Sequence, residues 1–98
     1  MTDMDKMFYD IDTFNYELSD WDVSRVTNMC GMFANAIAFN QDLSKWDVSR
    51  VKTMLCMFDD ASSFQQTLCG AAWVNSKALK VEMFTRSPGV ISKTECGA

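Results

Sequence analysis

Residues 18–33 read LSDWDVSRVTNMCGMF and residues 43–58 read LSKWDVSRVKTMLCMF, so the chain repeats itself with a period of 25 residues. The two strings differ only at Asp20/Lys45, Thr27/Lys52, Asn28/Thr53, Cys30/Leu55 and Gly31/Cys56. The register runs backward as well, since Thr2, Met4, Met7 and Phe8 match Thr27, Met29, Met32 and Phe33. Equivalent positions form columns: Met4/Met29/Met54, Phe8/Phe33/Phe58, Phe14/Phe39/Phe64, Leu18/Leu43/Leu68, Trp21/Trp46, Val23/Val48 and Val26/Val51. One unit of this size cannot bury its own apolar face, but stacked units bury one another's, so the columns are read as core. Methionine suits such a column because its unbranched thioether adapts to the neighbours above and below. The set is therefore read as packing rather than as a cofactor box.

Two elements are expected within a unit. Residues 26–36 place Val26, Met29, Met32, Phe33 and Ala36 at spacings of three and four, which predicts a short helix capped by Thr27 or Asn28. Residues 43–48 alternate Trp46 and Val48 with polar neighbours, which predicts a short strand. The expected fold is an α/β solenoid of leucine-rich-repeat-like type, with short parallel strands on one face and short helices on the other. The chain is read as one domain, residues 1–98. It comprises a partial first unit (1–25), a second (26–50), a third (51–68) and a degenerate C-terminal cap (69–98). In that last stretch Trp73 and the pair Met83–Phe84 fall out of the 25-residue spacing.

Composition narrows function mainly by exclusion. In 98 residues, 48% hydrophobic and 22% charged, there is no histidine, which removes Ser-His-Asp and Cys-His catalysis and every imidazole metal site. The four glycines form no phosphate-binding loop. A net charge of −4 makes nucleic acid a poor partner. No apolar run is long enough to span a membrane, and no basic-then-apolar leader opens the chain, so neither a span nor a signal peptide is expected within it. An enzyme using an acid pair such as Asp20/Asp22 is not expected either, because a small repeat array offers no deep pocket. No cofactor is expected.

The strings FNQDLSKWDVSRV (39–51) and VTNMCGMFANA (26–36) resemble the repeat of BspA-like leucine-rich-repeat surface proteins, a type also found in mycoplasma lipoproteins as a domain of unknown function. The likeness is strongest over residues 29–54 and weaker in the first unit, where FNYEL (14–18) replaces FNQDL. The resemblance implies an exported or cell-surface protein used for adhesion or protein binding, with no catalytic residue. A protein or glycan ligand is the partner it implies.

The four cysteines contain no C-x-x-C, so a zinc ribbon is not expected. Cys69 and Cys96 bracket the degenerate last unit and belong to no column; a disulfide there would clamp the cap, contributing roughly 3–4 kcal/mol in the chain-entropy view. Cys30 and Cys56 lie one residue out of register and are left as a bond or as two free thiols. A catalytic thiol is not expected, with no histidine to activate it.

Among the remaining polar residues, Arg25 and Arg50 recur once per unit beside Asp20 and Lys45, and these four are the candidate binding face. Arginine rows contact carboxylates and glycans, though pairing with Asp20 or Asp22 would satisfy them equally. Asp22 and Asp47, each two residues before a serine, are read as turn formers; as a calcium ladder they supply too few oxygens. Asp59–Asp60 are read as a solvated turn. Residues 1–25 carry a net −5 and residues 76–98 a net +2. An open N-terminal end with this charge asymmetry gives the second functional expectation, a structural unit that associates head to tail.

Overall fold

The computed structural model describes residues 2–96. Its local structure is set by two backbone habits that recur along the chain. The first is a left-handed residue at matching positions: Lys6 and Asp10, Gly31 and Asn35, Cys56 and Asp60, Glu82 and Arg86 all have φ between 54° and 63°. Glycine, asparagine and aspartate accept this conformation readily, whereas lysine, cysteine, glutamate and arginine adopt it at a cost. The second habit is the Asx turn. The Asp22 carboxylate accepts from both the amide and the hydroxyl of Ser24, Asp47 does the same with Ser49, and Asp42 accepts from the Ser44 amide.

These habits overturn the expected α/β solenoid. Among the described residues regular secondary structure is nearly absent: a four-residue helix, α1 (Ala71–Val74), and one two-stranded parallel sheet, β1 (Thr67–Leu68) with β2 (Val90–Ile91), in which Thr67 pairs with Val90 and Leu68 with Ile91. The chain is a compact globule of 33 × 26 × 26 Å rather than a layered array of strands and helices.

Residues 26–36 form no helix. The left-handed Gly31 and Asn35 interrupt it, and the amides of Met29, Gly31, Phe33 and Asn35 donate to the carbonyls of Thr53, Leu55, Met57 and Asp59 instead of to residues four back. Residues 43–48 form no strand. Their amides close local turns, such as Trp46 to the Leu43 carbonyl, and side-chain oxygens compete for the rest. Parallel pairing occurs elsewhere, as single bridges Asp3–Asn28, Asn28–Thr53 and Thr53–Leu79.

The apolar columns nonetheless form the core, except at Trp21, which is exposed where its column-mate Trp46 is buried. Met29, Met32, Phe33, Phe39, Leu43, Met54, Met57, Phe58, Phe64, Leu68 and Trp73 are fully buried, and no polar or charged residue among the described ones is. Phe8, Phe33, Phe58 and Phe84 stack with ring centroids 5.4 Å apart at each step. Phe14, Phe39 and Phe64 form a second row at 5.8–5.9 Å. Buried indoles keep their polar tips satisfied: Trp46 Nε1 donates to the Leu18 carbonyl at 2.8 Å and Trp73 Nε1 to that of Leu43 at 2.7 Å.

The irregular tail joins this core. Helix α1 takes up the extra residues, after which Leu79 bridges Thr53, Met83 is buried and Phe84 stacks on Phe58. Gly70 and Gly89 permit this closure, since a Cβ on either would lie within 2.5 Å of the Ser44 carbonyl or the Phe64 ring respectively.

Candidate functional site

The four residues proposed as a binding face, Arg25, Arg50, Asp20 and Lys45, are all exposed. The expected pairing of the arginines with Asp20 or Asp22 does not form: among the described residues the ion pairs run from Arg86 to Asp59 and Asp60. Asp22 is engaged by Ser24, whose hydroxyl and amide hold its carboxyl below the ordinary aspartate range; Arg25 adds only a small attraction from a distance. Ser49 does the same for Asp47. The two arginines thus keep their guanidinium groups uncommitted.

Arg50 lines a concavity. A hollow of about 480 Å³ is bounded by Thr27, Ser49, Arg50, Val51, Lys52, Lys77 and Ala78. The ladder builds it. The Lys52 amide donates to the Thr27 carbonyl, and the Leu79 amide to that of Lys52, which brings three successive passes of chain side by side. The walls are Val51 and Ala78, and the rim carries three cations, Arg50, Lys52 and Lys77, with no carboxylate among the lining residues. The Thr27 hydroxyl donates to the Thr2 carbonyl and the Ser49 hydroxyl to the Asp47 carboxylate. Lys52 and Lys77 escaped the sequence reading. Lys52 breaks the Thr2/Thr27 column, and Lys77 follows it one period later, in the tail read as a degenerate cap.

A second cluster was also missed. The Cys56 sulfur and one carboxylate oxygen each from Asp59 and Glu82 lie within 4.8 Å of one another. Burial, then the Glu82 and Asp59 carboxylates, push the Cys56 thiol above its ordinary range, which makes it a weak nucleophile at neutral pH. Arg86 Nη2 lies 3.6 Å from Asp59 Oδ1 and its guanidinium grips Asp60, so the acids read as a solvated turn are in fact tied to the tail. Cys30 and Cys56 are both free and partly buried.

Cys69 and Cys96 are joined by a disulfide, their Cα atoms 5.0 Å apart. Beside the bond the Cys96 amide donates to the Cys69 carbonyl. Such a bond fits an extracellular location. No helix among the described residues is long and apolar enough to cross a membrane.

The family model described as "Mycoplasma protein of unknown function, DUF285" matches residues 1–94. The chain belongs to that family. The match takes in the core columns, the whole rim of the hollow and the tail as far as Thr94. No curated protein and no solved structure matches the chain.

Proposed function

We propose that this DUF285 chain is a non-catalytic protein-binding or adhesion module of a secreted or surface protein, and that it holds an anionic group of its ligand in the hollow of Arg50, Lys52 and Lys77. The observation that carries the reading is the grouping around one concavity of three cations that make no ion pair among the described residues, on a chain whose net charge is −4. An acidic protein should repel anions in general, so a local cationic rim selects where one docks. Arg50 supplies a planar fork for a carboxylate or sulfate, and the two lysines supply point charges. The disulfide and the likeness of the WDVS strings to BspA-like surface repeats support placement outside the cell. The absence of histidine and the raised Cys56 thiol support a binding rather than a catalytic role.

The test is a titration with two anionic probes, a sulfated heparin oligosaccharide and an oligoglutamate peptide, against wild type and R50A/K52A/K77A. The expected result is saturable binding of at least one probe, weakened by salt and lost in the triple variant. Binding of neither probe, or equal binding by the variant, would overturn the reading.

A further inference from the structure

Inside the molecule a single pattern of backbone hydrogen bonds joins each pass of the chain to the next. The amides of Met4, Lys6, Phe8 and Asp10 donate to the carbonyls of Asn28, Cys30, Met32 and Ala34. Those of Met29, Gly31, Phe33 and Asn35 donate to Thr53, Leu55, Met57 and Asp59, and those of Met54, Cys56, Phe58 and Asp60 to Leu79, Val81, Met83 and Thr85. All twelve bonds are 2.8–3.1 Å. Continuing the pattern leaves two rows without partners among the described residues. At the last pass these are the amides of Lys80, Glu82, Phe84 and Arg86; at the first they are the carbonyls of Asp3, Asp5, Met7 and Tyr9. The last pass has the left-handed residues Glu82 and Arg86 where earlier passes have theirs, so its donors are held in the same shape.

We infer that these rows are the two halves of one interface, and that a second copy of this chain adds its first pass to the last pass of the copy before it. Side chains at the two edges agree with the backbone. Phe84 ends the stacked row that Phe8 begins, so an added copy's Phe8 continues it. Trp21 is 42% exposed, whereas its counterparts Trp46 and Trp73 are at 2% and 0%, each capped by a leucine carbonyl one pass earlier. Most of the other large exposed apolar residues lie at the same edges, Tyr9, Ile11 and Tyr16 at the first and Leu79 and Val81 at the last, with Ile37 and Val90 outside them. Charge agrees too. Glu82 lies above Cys56, and Lys6 lies below Gly31 in the same column, so joining the edges sets Lys6 of the added copy against Glu82. The edge segments carry −5 over residues 1–25 and +2 over residues 76–98.

The contact is heterologous, so addition does not stop at two copies unless the ring closes. Sedimentation velocity on the oxidised 98-residue chain, from micromolar to millimolar concentration, is the test. The expected result is a mass that rises through successive multiples and falls back with added salt. K6E and E82K each put like charges at the junction and are expected to shift assembly to at least tenfold higher concentration. The double swap K6E/E82K restores it, an outcome that mere damage to the fold cannot produce; near-UV circular dichroism checks that each variant is folded. A monomer at every concentration, a dimer that never grows, or assembly indifferent to both single swaps would overturn the inference. The hollow is untouched by these changes, so this result is independent of anion binding.

Discussion

Gly31 shows how much hangs on single backbone positions. Its φ is +63°, and a Cβ there would lie 3.3 Å from Lys6 Cγ. Gly31→Ala is expected to cost about 1–2 kcal/mol, read as a lower Tm. Cys56 occupies the equivalent left-handed position with a side chain attached. Cys56→Gly removes that strain but loosens the unfolded chain, so a stability change within about 1 kcal/mol of zero is expected, against the clear loss at Gly31. Trp46→Phe deletes the donor to a buried Leu18 carbonyl and should cost about 1–3 kcal/mol, again by thermal or urea unfolding. Titration has a definite sign. Ser24, Ser49 and Arg86 hold Asp22, Asp47 and Asp60 below the ordinary value of 3.8. Such groups add stability above that pH and lose it as pH falls through their lower folded values, so Tm should decline on acidification below about 3.8. A flat Tm through that range would contradict these contacts.

At the level of elements, the buried positions were legible and their secondary structure was not. Identity at a fixed period marked Phe33, Phe39, Leu43 and Trp46 as core whatever the backbone did, and all are buried. The helix over 26–36 failed because a chain of tight turns also buries positions three and four apart. Asp10, Asn35 and Asp60 carried the opposite signal, since their residue types in one column favour left-handed backbone, and Gly31 seconded it. The strand over 43–48 failed because Asp42–Ser44 and Asp47–Ser49 close their own turns. Cys69 and Cys96 stood out by belonging to no column, and they hold β2 against β1. Reduction of this bond should lower stability by about 2–4 kcal/mol, measured as the Tm difference with and without dithiothreitol. If Tm is unchanged, the tail is held by packing of Trp73 and Phe84 alone.

Across the whole molecule, the ladder places residues from three passes beside one another, and this is why the candidate site was only half visible. Arg50 could be singled out because it recurs as Arg25. Lys52 and Lys77 were passed over, although they stand one period apart, because Lys52 departs from the threonine column and Lys77 falls in the tail read as degenerate. The proposed function therefore rests on a column, Thr27, Lys52 and Lys77, that the period places together but whose charge the apolar pattern did not bring forward. The most direct measurement is an amide chemical-shift map on the isotopically labelled, oxidised chain titrated with the sulfated oligosaccharide or the oligoglutamate peptide. The account predicts that shifts gather on Thr27, Ser49 to Lys52, and Lys77 and Ala78, and vanish in R50A/K52A/K77A. Shifts centred on another surface, or none with either probe at saturating concentration, would contradict it.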